Sequence, residues 1–129
     1  VNNFPPDSYN KKYQQLLNLL TESMNLSLDT TLLLAAPEQN PWQELAKFYA
    51  QEILPLTGEE LPPEIVARWR SIQTEIHRAI KLLTMDISLL RAARRPDLQS
   101  QRQKVLLDRL TTLTTYCQAI LTLNPANLA

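Results

Sequence analysis

Residues Ile65–Leu90 read IVARWRSIQTEIHRAIKLLTMDISLL. Within them Ile65, Trp69, Ile72, Ile76, Ala79/Ile80, Leu83, Ile87 and Leu90 recur at spacings of four and three. That is the period of one helical face. Beyond Pro96, the residues Leu106, Leu110, Leu113, Cys117 and Ile120 repeat the pattern. Two long amphipathic helices separated by so short a break can bury their apolar seams only by folding back antiparallel. Pro63 opens the first of them, and at 1.5 Å per residue it spans roughly 45 Å. The expected fold is all-α: an elongated helical bundle built on a long antiparallel hairpin and packed by shorter N-terminal helices.

The front of the chain supplies those shorter helices. Asp7 or Ser8 can cap a first helix running to about Ser23, with Tyr9, Tyr13, Leu16, Leu17 and Leu20 on one face. Asn25–Asp29 interrupts the pattern, and a short segment follows to Ala36. Asn40-Pro41-Trp42-Gln43 reads as a helix start, with Asn at the cap, Pro at the first position and Gln where a capping box wants it. That helix carries Trp42, Leu45, Phe48, Tyr49 and Ile53 and stops before Pro55. Whether 28–54 form one helix or two is left open by the pattern. Residues 7–123 are expected to form one domain, between a flexible lead-in at 1–6 and a flexible tail at 124–129.

Composition narrows the class. The 129 residues include a single glycine, Gly58, which argues against tight β-hairpins and phosphate-cradling loops. No apolar run reaches the ~18 residues of a membrane span, and the opening residues lack a signal-peptide pattern. The lone Cys117 lies on a core stripe, which suits a reducing, cytoplasmic setting. Net charge is zero but unevenly distributed. Up to Val66 there are nine acids and three lysines; from Ala67 onward there are ten bases and four acids. Such asymmetry suggests front helices docking on the hairpin by charge, or an exposed basic surface awaiting an acidic partner.

Catalytic chemistry is not evident. His77 has no second metal ligand one turn away, and no Glu-x-x-His, His-Glu-x-x-His or paired cysteines occur. His77 is expected at the edge of the core, and Cys117 as inert core filler. No catalytic, cofactor or metal residue is assigned, and the chain is read as a non-enzyme. Three features can carry binding. At the hairpin tip Arg91, Arg94 and Arg95 precede Pro96, and Arg102 follows on the return helix. Cations favour a helix C-terminus, with Asp97 expected to cap the next helix, but that accounts for fewer arginines than are present. Asp86, beside Leu83 and Leu90, is expected either to pair with a cation from the return helix, Arg102 or Arg109, or to stand as an exposed contact. The front residues Leu32, Leu33, Leu34, Trp42, Phe48 and Tyr49 exceed what one helical face needs, so they form core, a groove or a self-association surface. Nucleic acid is not expected, because neither an overall positive charge nor an aromatic platform accompanies the arginines.

The run RWRSIQTEIHRAIKLLTMDISLLRAAR (Arg68–Arg94) resembles the long helix of the PatD family. So do Gln101-Arg102-Gln103, Leu113–Leu121 (LTTYCQAIL) and the front Lys12-Tyr13-Gln14-Gln15-Leu16. The likeness covers about two-thirds of the chain and is weakest around Pro37 and Pro41. PatD proteins are small helical cyanobacterial proteins that limit heterocyst frequency and act through the cell-division GTPase FtsZ. The resemblance implies a cytoplasmic regulatory protein that binds FtsZ and modulates its assembly. Arg91, Arg94, Arg95 and Arg102 are then the residues expected to meet that acidic partner. The competing expectation, from the residues alone, is a chaperone or assembly adaptor holding a client helix on the apolar front segment.

Overall fold

The computed structural model describes residues 6–27 and 41–123. Among the described residues there are four helices, α1 (Asp7–Ser27), α2 (Pro41–Phe48), α3 (Pro63–Ala92) and α4 (Pro96–Leu121), with a π-helical turn, Tyr49–Ile53, continuing α2. The described residues contain no strand. The chain is thus an all-α helical bundle. Leu32, Leu33 and Leu34, the segment to Ala36, the Asn40 cap and both expected flexible ends (save Pro6) lie outside the described residues.

The long hairpin forms because its two stripes meet. Ile65, Trp69, Ile72, Ile76, Ala79, Ile80, Leu83 and Leu90 of α3 are buried, as are Leu106, Leu110, Leu113, Cys117 and Ile120 of α4. Ile87 is only half-buried, because it faces the gap toward α2. At about 25 cal/mol per Å² of apolar area, such a seam is the principal source of helix stability, since isolated helices are marginal. α1 packs along α4 and against α2. Tyr49 of the π turn then reaches back to α3, where its hydroxyl lies 3.1 Å from His77 Nδ1. Contacts between Tyr13 and Gln73, Tyr49 and His77, and Thr114 and Met24 fix the directions. The described helices alternate in direction, up and down, as in an antiparallel bundle.

Several local expectations change. α1 does not stop at Ser23: it runs to Ser27, and Ser23 is fully buried with Leu19 and Leu20. Tertiary packing extends the helix past the point where its own pattern fades. Leu17, expected on the core face, is only half-buried, and Leu19 takes the fully buried position. Neither Asp7 nor Ser8 is the cap, because the Pro6 carbonyl already accepts the Asn10 N–H. Asp97 does not cap α4 either. Arg95 holds the cap position without a side-chain hydrogen bond, Pro96 is the first helical residue, and Asp97 sits in the first turn. There its carboxylate still faces the positive helix end.

The loop 54–62 is held against the N-terminal ends of α1 and α3. Tyr9 Oη donates to Glu60 Oε2 at 2.5 Å and accepts the Gly58 N–H at 3.1 Å. Gly58 has φ +78°, and a Cβ there would lie 2.8 Å from Trp69 Cζ3. Only glycine meets both conditions, a left-handed backbone and direct contact with an indole face.

Candidate functional site

The four candidate arginines cluster in sequence but divide in space. Arg91 is exposed on the last turn of α3, on the side facing α2. With Trp42, Gln43, Ala46, Thr84, Ile87 and Ser88 it lines a cleft of about 180 Å³. Arg94 is exposed in the connection, and Arg95 forms an exposed ion pair with Asp97 at 3.6 Å. Arg102 is half-buried on α4. By helical spacing it lies in line with Leu98, Val105 and Arg109, away from the Arg91 cleft. Gln99 secures the connection by donating from Nε2 to the Ala93 carbonyl at 3.0 Å. The tip is therefore a cation-bearing turn with two differently facing flanks.

Asp86 is 8 % exposed and receives Arg109 Nε on Oδ2 at 2.9 Å. Of the two partners the sequence allowed, Arg109 is the one taken. That leaves Arg102 outside every ion pair among the described residues. Charge docking of the front on the hairpin is not observed there either. Lys12 pairs with Glu52 within the front, Arg78 with Glu75 within α3, and Arg95 with Asp97 at the tip. The hairpin's basic excess accordingly faces solvent, with Arg68, Arg70, Lys81, Arg91, Arg94 and Lys104 all exposed.

What joins front to hairpin is a polar lattice inside the apolar core. Trp69 Nε1 donates to Tyr13 Oη at 3.2 Å, Tyr13 Oη donates to Gln73 Oε1 at 2.5 Å, and Gln73 Nε2 donates to the Ile53 carbonyl at 3.2 Å. This last carbonyl ends the π turn, whose five-residue closure, Leu54 N–H to Tyr49 O, measures 2.8 Å. Burial drives the Tyr13 phenol well above its ordinary range and lifts Tyr49 to about 12. Tyr9 rises to about 12 through burial and its bond to Glu60, and that same bond holds the Glu60 carboxyl below its usual range. These groups bond as neutral phenols, so they position helices rather than exchange protons.

His77 is half-buried against Tyr49, its ring stacked at 6.0 Å and 24°. Cys117 is a buried free thiol that burial pushes up to about 12. At that value almost no thiolate is present at neutral pH. Trp42 and Tyr49, the described part of the apolar front, are 5 % and 3 % exposed, and Phe48 is half-buried. They pack into the core, Trp42 while also lining the cleft beside Arg91. No group of three potential metal ligands occurs among the described residues. None of the described helices is long and apolar enough to cross a membrane.

Sequence reasoning missed one surface feature. Met85, Leu89 and Val105 are large apolar side chains left in water, at 58 %, 41 % and 36 % exposure. Their signal was present: Met85 and Leu89 are four apart and lie beside, not within, the principal α3 stripe. Fold and site together define an all-α bundle with an exposed cationic tip. No family model, curated protein or solved structure matches the chain.

Proposed function

We propose that this chain is a non-enzymatic regulatory protein that binds an acidic protein partner at the α3–α4 end of its bundle. On the resemblance of Arg68–Arg94 and Leu113–Leu121 to the PatD family, the partner is FtsZ, whose assembly the protein modulates in limiting heterocyst frequency. The setting is the cytoplasm. The observation that carries the reading is the exposure of Arg91, Arg94 and Arg95 on a turn braced by Gln99. Cations placed in this way cost the fold little and remain available to carboxylates. Arginine suits the task because its planar fork meets a carboxylate with two hydrogen bonds.

The test is direct binding of the whole chain to FtsZ from the same organism at low and physiological ionic strength. Binding that weakens steeply with salt, and that disappears when Arg91, Arg94, Arg95 and Arg102 are changed to Glu, is the expected result. Salt-insensitive binding that survives the four changes moves the contact away from the tip. A folded protein that ignores FtsZ at both salt concentrations removes FtsZ from the reading.

A further inference from the structure

The outer face of the hairpin carries a second feature that the tip arginines do not explain. On α3 the positions Arg78, Leu82, Met85 and Leu89 follow one another at spacings of four, three and four, so they form one line along the helix. On α4 the line Leu98, Arg102, Val105, Arg109, Thr112 and Tyr116 has the same geometry. The two lines face a common furrow. Glu75, Arg78 and Leu82 line a cleft of about 180 Å³ with Arg109, Thr112 and Tyr116, and Arg109 reaches from it to Asp86 on the tip side. Met85, Leu89 and Val105 are the exposed apolar members of these two lines, and helical spacing carries them on from the cleft toward the tip.

An antiparallel helix pair with an apolar furrow has the shape that accepts a third helix, ridges settling into grooves. Charge selects which helix. Glu75 is held by Arg78 and Asp86 by Arg109, so neither acid is free to attract cations. Lys81 beside Met85 and Arg102 beside Val105 have no ion-pair partner among the described residues, and Arg94 stands at the open end. Asp108, exposed on the outer edge of α4, offsets only part of this. A basic amphipathic helix would be repelled; an acidic one would pair its carboxylates with Lys81, Arg102 and Arg94. Methionine suits such a surface because its flexible thioether adapts to varied apolar neighbours.

We infer that the outer face of the α3–α4 hairpin, where Lys81 neighbours Met85 and Arg102 neighbours Val105, docks an acidic amphipathic helix of a partner protein. Its apolar face lies on Met85, Leu89 and Val105. The inference deepens the proposed function by giving the acidic partner a seat beyond the tip, but it does not require that partner to be FtsZ.

The experiment uses three labelled helical peptides of about 18 residues, long enough for some five turns. One has a leucine stripe with glutamates elsewhere, one has lysines in their place, and one is a scrambled Leu/Glu sequence. Fluorescence anisotropy of each with the full chain is the readout. The acidic amphipathic peptide binds, the other two do not. The double change Met85→Asp and Leu89→Asp, or Arg102→Glu alone, weakens it about tenfold or more, the loss expected when a docking anchor or its charge is removed. These side chains are solvent-exposed or half-buried, so each variant keeps its unfolding midpoint, which circular dichroism checks. For any variant that does not, Lys81→Glu supplies the same reading from an exposed position. Equal binding of acidic and basic peptides, or affinity unchanged in all the variants, overturns the inference. So does a wild-type dimer in sedimentation that Met85→Asp and Leu89→Asp dissociate, because the furrow then seats a second copy of this chain. Since no FtsZ is present, a failure here leaves the tip reading standing, and a failure with FtsZ leaves the furrow standing.

Discussion

Asp86 shows how one residue's environment selects its partner. Two turns of α4 offered a cation, and Arg109 was taken because it lies opposite Asp86 across the hairpin, with Nε at 2.9 Å. Truncating one side of a buried pair strands the other charge. Arg109→Ala should therefore destabilise the fold by about 3 kcal/mol, the low end for such pairs because Arg109 is partly wet. Replacing both, Asp86→Leu with Arg109→Leu, should recover most of that loss; urea titration of the three proteins measures both effects. Gly58 is the other decisive single residue. Gly58→Ala adds a Cβ 2.8 Å from the Trp69 ring at φ +78°, so it should cost about 1–3 kcal/mol in the same assay. The Asp86 partnership was half-legible in sequence, since a semi-buried acid demands a cation. Gly58's contact with Trp69 was not, because nothing local to residues 56–62 names the indole it touches.

At the scale of elements, α4 is an instructive helix. Thr111, Thr112, Thr114 and Thr115 have poor helical propensity, yet each hydroxyl donates to the carbonyl four residues back. Burial of Leu110, Leu113 and Cys117 between them outweighs that propensity. The π turn after α2 is explained in a similar way, from outside the segment. Its closure runs from the Leu54 N–H to the Tyr49 carbonyl, and the Ile53 carbonyl at its end accepts both the Leu56 N–H and Gln73 Nε2, whose side chain also holds Tyr13. Gln73 thus ties α1, the π turn and α3 at one point. Gln73→Ala should lower stability by about 1–2 kcal/mol, as the buried Tyr13 phenol loses its acceptor and the Ile53 carbonyl one of its two donors. Amide exchange at Leu54 should quicken along with it, measurable by hydrogen–deuterium exchange. Helix existence was readable from periodicity, whereas the π turn was not, because Trp42, Leu45, Tyr49 and Ile53 fit an ordinary α pattern equally well.

For the whole molecule, the distribution of titrating groups sets the pH response. Burial lifts Tyr9 and Tyr49 from 10.0 to about 12, Cys117 from 9.0 to about 12, and Tyr13 further. The folded state therefore keeps these protons longer than the unfolded chain does. Their contribution to stability is complete below about pH 9 and is lost as pH rises toward 12, because the unfolded chain ionises first. Denaturant midpoints measured between pH 8 and 11 should fall steadily, and Tyr13→Phe should flatten the upper part of that decline. Cys117 should resist alkylation in the native protein and react on unfolding. Salt should act differently on fold and function. No described ion pair joins front to hairpin, so the unfolding temperature should change little between low and physiological ionic strength, whereas partner binding at the arginines should weaken.

The sequence by itself determined the helices, the hairpin, the buried stripes and the inert placement of Cys117. Each follows from apolar spacing within one segment, and a helical period is a local property. Only the tertiary structure decided which surfaces remain open. It separated Arg91 from Arg102, paired Asp86 with Arg109, closed Trp42 and Tyr49 into the core, and left Met85, Leu89 and Val105 in water. Those outcomes depend on which helix faces lie against one another, and residues distant in the chain meet only through packing. A charge or an apolar side chain acquires its role from neighbours that its own segment does not contain.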